Sequence, residues 1–138
     1  IIQIDDTKVN KNGKGASVMF REKQKMPVDT CLACHGGEGP LICRTLLADG
    51  DSKMNIRFMH HDILPPGSSI GDHPHEDTEE VYYLLSGSGE MRLDGAARRM
   101  EAGDISVVSS GHSHGIRNTG DRDMELLVCC VRKTEGGV

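Results

Sequence analysis

The stretch that decides the fold is Pro65–Gly89, PPGSSIGDHPHEDTEEVYYLLSGSG, in which two histidines stand one residue apart. Side chains alternate between the two faces of a β-strand, so His73 and His75 point to the same side if this segment is extended. A carboxylate follows a few residues later, where a second strand-like segment begins. The stretch is therefore either a polar loop between two strands or one half of a metal site.

A second segment downstream supplies what such a site lacks. Residues 103–118, GDISVVSSGHSHGIRN, carry His114 shortly after a strand-like run. This histidine can reach His73 and His75 only if the sheet folds over. Three imidazoles and one carboxylate form a nitrogen and oxygen ligand set without sulfur, which suits divalent Fe, Mn, Co, Ni or Zn.

Taken together, the two segments resemble the two motifs of the cupin family. The first, G-x5-H-x-H-x(3,4)-E-x6-G, and the second, G-x5-P-x-G-x2-H-x3-N, are both present and in the expected order. The matching residues are Gly67, His73, His75, Glu80, Gly87, Gly103, Gly111, His114 and Asn118. The sequence departs at Ser109, where the family usually has proline. Proline there stiffens a turn and does no chemistry, so we expect a looser loop and an intact site.

The resemblance covers residues 41–132 and implies an all-β fold, an antiparallel double-stranded β-helix or jelly-roll barrel. It also implies one divalent transition metal per chain (Fe, Mn, Zn or Ni), held by His73, His75, Glu80 and His114. Glu79 competes with Glu80, because the family tolerates either gap. We favour Glu80, since only Glu80 leaves six residues before Gly87.

Short strands punctuated by turn residues support the same fold. The pattern predicts strands in 41–48, 54–64, 79–87, 89–93, 97–100, 105–110 and 124–133, with a type I′ hairpin at Asp94-Gly95. The segment 111–121 is predicted to be a loop with a brief strand. We expect residues 1–30 to form a polar N-terminal arm and residues 31–138 a single cupin barrel domain.

The segment CLACH, Cys31–His35, matches the C-x-x-C-H pattern of covalent haem attachment. Glycines follow at once and strand-like sequence comes next, so we predict no haem. A zinc knuckle is incomplete unless His35 and Cys43 join Cys31 and Cys34, and a redox pair stays open. We treat both cysteines as ordinary residues at the entry to the barrel.

Composition limits the partners. The 138 residues carry a formal net charge of −5, which argues against nucleic acid. The apolar runs are too short to span a membrane. Five cysteines without a secretory context indicate reduced thiols, so we predict a cytoplasmic protein. We also predict a small-molecule substrate and a homodimer, since small cupins often pair by exchanging an N-terminal strand.

Several further side chains are weaker candidates. Tyr82 shares the face of Glu80 and should point inward, as either a core tyrosine or a catalytic group. His60 and His61 are neighbours on one strand, so one faces inward, as a proton shuttle or a structural histidine. His112 is expected at the cavity rim or in solvent, and Arg117 at the surface or as a carboxylate anchor.

Among cupins, the chain resembles small single-domain proteins described as oxalate-binding or oxalate-decarboxylase-like. Three hypotheses follow from this resemblance. The first is a metal-dependent dioxygenase or decarboxylase acting on a small oxygen-rich or carboxylate substrate. The second is a redox-silent zinc enzyme, such as a cyclase, isomerase or lyase, and the third is a binding protein without turnover.

Overall fold

A computed structural model describes residues 19–134 of the chain. Two single 3₁₀ turns, Lys23–Lys25 and Cys34–Gly36, accompany ten strands. The strands are β1 (Val28–Leu32), β2 (Pro40–Leu47), β3 (Ile56–Leu64), β4 (Ser69–Pro74), β5 (Thr78–Ser86), β6 (Ser88–Leu93), β7 (Ala96–Glu101), β8 (Ile105–Val108), β9 (Ser113–Asn118) and β10 (Met124–Arg132).

The strands form two antiparallel sheets that pack face to face. One sheet has the order β1-β2-β3-β10-β5-β8, and the other has the order β4-β9-β6-β7. Neighbours along the chain such as β4 and β5 lie in different sheets, so the chain crosses repeatedly from one sheet to the other. This arrangement confirms the predicted double-stranded β-helix.

The core lies between the two sheets because each strand alternates buried and exposed side chains. In β10, Met124, Leu126, Val128 and Cys130 are buried while the intervening residues are partly exposed. Leucine, isoleucine and methionine side chains from both sheets fill the rest, among them Leu64, Leu84, Met91, Met100 and Ile116. Each such side chain contributes about 1.5–3 kcal/mol when fully buried.

Two features of the sequence, the Asp94-Gly95 pair and Asn118, stabilise connections between strands. At the turn between β6 and β7, Asp94 and Gly95 have φ angles of 47° and 81°. Positive φ at both central residues is the signature of the predicted type I′ turn. Asn118, at the end of the second motif, is buried and donates from Nδ2 to the carbonyls of Leu64 and Arg122, which joins three segments.

One local expectation needs correction, and a second observation concerns the N-terminal arm. Residues 113–118 form a full strand at the centre of the four-stranded sheet rather than a loop with a brief strand. Alternation there is masked in the sequence because His114, Gly115 and Ile116 are all buried. In addition, strand β1 runs across the boundary predicted after residue 30 and pairs with β2, so part of the expected arm belongs to the sheet.

The remainder of the N-terminal arm is described only from residue 19. Arg21 donates to the carbonyl of Leu46 and to Asp51, both at 3.0 Å, so this part packs on the outside of the barrel. Residues 1–18 lie outside the described residues. The division into arm and domain stays a prediction. Within residues 19–134, no helix is long and apolar enough to cross a membrane.

Candidate metal centre

Both sheets contribute to a cluster of three histidines and one glutamate. His73 in β4 and His114 in β9 are direct cross-strand partners, and His75 follows one residue after β4 ends. Glu80 lies in β5 of the facing sheet. The structure thus brings together all four residues that the motif spacing selected, and we call them the imidazole cluster. All four are buried, with at most 9% of their surface exposed.

The ligand-type atoms of the imidazole cluster converge on one point. The His114 Nε2 lies 3.1 Å from the Nε2 atoms of both His73 and His75, and 2.9 Å from Glu80 Oε2. That oxygen is 3.6 Å from His73 Nε2 and 3.3 Å from His75 Nε2. One ligand atom from each residue lies within 4.8 Å of all the others.

These separations fit a shared ion. With metal–ligand bonds of about 2.1 Å, ligand atoms at right or tetrahedral angles lie about 3.0–3.4 Å apart. Hydrogen bonding alone explains the convergence poorly, because one proton on His114 Nε2 cannot serve three close acceptors. The four residues therefore could hold a divalent transition metal.

The outer ring nitrogens support the same orientation. His73 Nδ1 lies 2.9 Å from the carbonyl oxygen of Gly71, which can only accept, so Nδ1 carries the proton and Nε2 presents its lone pair. His75 Nδ1 lies 3.2 Å from the Thr78 hydroxyl. His114 Nδ1 has no hydrogen-bond partner among residues 19–134, and its ring lies against that of Tyr82, with centroids 4.4 Å apart.

Electrostatics favour a charged Glu80 carboxylate in this cluster. Burial alone would raise the pKa of Glu80, but hydrogen bonds with His114 and His73 outweigh it and hold that pKa at about 2. Burial lowers the pKa of His75. For His73, burial is opposed by contacts with Glu80 and the Gly71 carbonyl, and the net effect raises its pKa.

Glu79 points away from the cluster. Its carboxylate accepts a hydrogen bond of 2.7 Å from the hydroxyl of Ser109. Ser109 stands where the motif usually has proline. Its hydroxyl links this turn to β5 through the hydrogen bond to Glu79. The register of β5 therefore places Glu80, and not Glu79, beside the histidines.

A cavity of about 310 Å³ opens beside the imidazole cluster. His73 and Glu80 form part of its wall, together with both weak catalytic candidates, Tyr82 and His60. Tyr82 is only 2% exposed, and burial followed by the Glu80 charge raises its pKa well above the usual value. The tyrosine therefore stays protonated. His60 is half-buried and stacks on Phe58, with centroids 4.4 Å apart.

The remaining candidates lie outside this cavity. His61 faces the other side of β3 and contacts Glu125, with His61 Nε2 and Glu125 Oε2 2.6 Å apart. His112 is exposed and lies against Asp94. Arg117 is exposed and donates to the Glu38 carboxylate at 2.9 Å.

Two residues in the cavity wall escaped the sequence reasoning in this role. His35 stacks on His73 with ring centroids 3.9 Å apart, and Asp62 is a buried carboxyl group. His35 reaches His73 because the backbone of Cys34–Gly36 passes very close to β4. A Cβ atom on Gly71 would lie 2.1 Å from the His35 carbonyl oxygen, so only glycine fits there. In the sequence, the pair Gly36-Gly37 indicates that the chain beside His35 passes close to another segment. Asp62 belongs to no sequence motif.

Comparison with known proteins agrees with this fold. The cupin domain model matches residues 60–130. An oxalate-binding protein from Thermotoga maritima is 34% identical over 118 residues, which are 86% of this chain and 97% of that protein. Quercetin 2,3-dioxygenase from Escherichia coli is 32% identical over 65 residues, but the match spans 46% of this chain and 27% of that enzyme.

Solved structures have the same fold. A predicted oxalate decarboxylase from Thermotoga maritima superposes with a TM-score of 0.78 at 33% identity, over 83% of this chain and 99% of that chain. KdgF from Halomonas has a TM-score of 0.66 at 16% identity, over 85% of this chain and 96% of that chain. The second likeness concerns the fold alone.

Proposed function

This chain belongs to the cupin family, and on that premise we propose that it is a metal-dependent enzyme of the dioxygenase or decarboxylase type. Its substrate is a small carboxylate or another oxygen-rich molecule. The observation that carries the proposal is the convergence of three Nε2 atoms and the Glu80 carboxylate within 4.8 Å, beside a cavity of about 310 Å³. Such a volume lies at the lower end for ligand pockets, which favours a small substrate.

In this proposal, His73, His75, Glu80 and His114 hold one divalent transition metal ion. The ion, when bound, polarises substrate oxygens as a Lewis acid and, if it is redox-active, supplies electron transfer to oxygen chemistry. The ligand set carries one negative charge, so an anionic substrate still meets a net positive centre. The similarity to an oxalate-binding protein supports a carboxylate as the ligand.

The cavity wall provides the setting for such chemistry. Leu41, Ile70 and Val128 make part of the wall apolar, which excludes water and strengthens electrostatic interactions inside. The Tyr82 hydroxyl is protonated and can donate a hydrogen bond to an oxygen-rich ligand. His35 covers one face of the His73 ring and shields that ligand from solvent.

The test begins with elemental analysis of protein purified without a histidine tag. We expect the wild type to hold one equivalent more metal than the His73→Ala/His75→Ala variant, and to bind oxalate by calorimetry while the variant does not. Equal metal content in both proteins would overturn the proposal. Fe or Mn in the wild type, with oxygen uptake or carbon dioxide release on adding substrate, would support oxygen chemistry or decarboxylation. Zinc without either would contradict it.

A further inference from the structure

The cavity has a second wall of ligand-type side chains that the imidazole cluster does not use. Cys43 in β2 and His60 and Asp62 in β3 line this wall. One ligand atom from each of the three lies within 4.8 Å of the others. We call these three residues the thiol cluster.

Regular sheet geometry holds the thiol cluster in place. Cys43 and Asp62 are direct cross-strand partners of β2 and β3. His60 is two residues before Asp62 and so lies on the same face of β3, while His61 between them faces away. The three side chains are thus presented by two central strands and not by a loop.

Asp62 is the residue that indicates a ligand. It is 3% exposed, and its Oδ1 atom has no hydrogen-bond partner within residues 19–134. The nearest cationic candidate, His60 Nδ1, is 3.9 Å away, which is too far for a hydrogen bond. A buried, unpaired carboxylate oxygen is costly unless it is protonated or neutralised by a cation.

The neighbouring groups are matched to a cation. The Cys43 thiol hydrogen bonds to the Asp62 carboxyl group, and burial raises the pKa of both groups, that of Asp62 to about 6. Burial lowers the pKa of His60, which keeps a lone pair available on its ring. A bound divalent ion would offset the cost of ionising the thiol and the carboxyl group together.

We propose that Cys43, His60 and Asp62 form a second metal site in the cavity, selective for Zn²⁺ or a similar borderline ion such as Co²⁺. One sulfur, one nitrogen and one oxygen ligand suit these ions better than Mg²⁺ or Ca²⁺, which prefer oxygen alone. Three protein ligands leave the fourth position of a tetrahedral ion free, as in catalytic zinc sites. Cys34 lines the same cavity, so it is the candidate for the fourth position.

The experiment isolates this site from the imidazole cluster. Full-length His73→Ala/His75→Ala protein, reduced and stripped of metal, is titrated with Co²⁺ and followed by absorption. We expect one equivalent to bind and to produce a near-ultraviolet thiolate-to-Co²⁺ charge-transfer band. Adding Cys43→Ser should abolish the band, and adding Asp62→Asn should weaken Co²⁺ binding about tenfold or more. Circular dichroism confirms that each variant is folded.

Cys129→Ser is the matched control. Cys129 is also half-buried, but it lies on the opposite face of β10 from Val128 and Cys130. This variant should keep both the band and the affinity. Absence of the band in the double-histidine variant would overturn the proposal, as would its persistence after Cys43→Ser. Neither result depends on metal binding at the imidazole cluster, because two of its four ligands have been removed and the band requires a thiolate.

Discussion

The imidazole cluster and the thiol cluster are built by the same local geometry. In each, two ligand-type side chains stand two residues apart in an extended segment, and a third comes from the strand hydrogen-bonded beside it. His114 is the cross-strand partner of His73 in one cluster, and Cys43 is the cross-strand partner of Asp62 in the other. A pair of antiparallel strands is therefore sufficient to bring three ligand atoms together on either sheet.

The difference lies in the environment of the carboxyl groups. Hydrogen bonds with imidazoles overcome burial and hold the pKa of Glu80 at about 2, whereas burial beside a thiol raises the pKa of Asp62 to about 6. Glu80 also comes from the sheet that faces its histidines and closes their cluster. Among residues 19–134, the thiol cluster has no fourth ligand-type group from the sheet that faces it. The Glu80 carboxylate is therefore ionised at any pH well above 2, whereas Asp62 is protonated below about pH 6 and ionises only above it.

The largest loss of metal affinity should follow removal of His114, whose Nε2 lies close to the other three ligands. In a Cys43→Ser background, which silences the thiol cluster, His114→Ala should lower metal affinity more than about 100-fold, since even outer contacts of a ligand cost 10–100-fold. His61→Ala is the control because His61 lies on the outer face of the same barrel. Metal content after dialysis checks both. Equal retention in the two variants would show that the imidazole cluster holds no metal.

The next largest loss of metal affinity should distinguish Glu80 from its neighbour Glu79. Glu80→Gln should lose much of the metal affinity, because an amide oxygen can still coordinate but the negative charge is gone. Glu79→Gln should behave like the wild type, because its carboxylate only accepts a hydrogen bond from Ser109. Competition with a chelator measures both affinities. Similar losses in the two variants would mean that the register of β5 differs from the one described.

The two clusters also mark how far the sequence could be interpreted. Spacing across both motifs predicted the barrel and selected His73, His75, Glu80 and His114, because each motif residue also fixes a turn or a strand face. Asp62 and Cys43 carried no such signal, since their pairing depends on the register between β2 and β3. Strand β1 was missed for a related reason: all five of its residues are exposed, so it lacks alternation.

The pH dependence of stability should report the thiol cluster. The pKa of Asp62 rises from 3.8 to about 6 in the fold, so its contribution is complete below pH 3.8 and is lost as pH increases through 6. With each pKa unit worth about 1.4 kcal/mol, the metal-free wild type should lose about 2 kcal/mol more than Asp62→Asn between pH 4 and pH 7.5. Urea unfolding with a chelator and a reductant measures this difference.

The same measurement separates Asp62 from other titrating groups. Glu80 and the histidines are present in both proteins, so their contributions cancel in the difference between the two curves. Parallel stability curves for wild type and Asp62→Asn would contradict the raised pKa. They would also remove the contrast between the two carboxyl groups on which the comparison of the clusters depends.

The smallest effect should come from Tyr82, which contacts the imidazole cluster and lines the cavity that the thiol cluster shares. Its ring lies against His114 and its hydroxyl reaches the cavity beside Glu80. Tyr82→Phe keeps the ring, so we expect unchanged metal content at both clusters and a stability change within about 1 kcal/mol. We expect oxalate binding to weaken nevertheless, because Tyr82 lines the cavity and its protonated hydroxyl can donate a hydrogen bond. Calorimetry with oxalate and elemental analysis test both halves, and a loss of metal would show that the tyrosine supports the imidazole cluster directly.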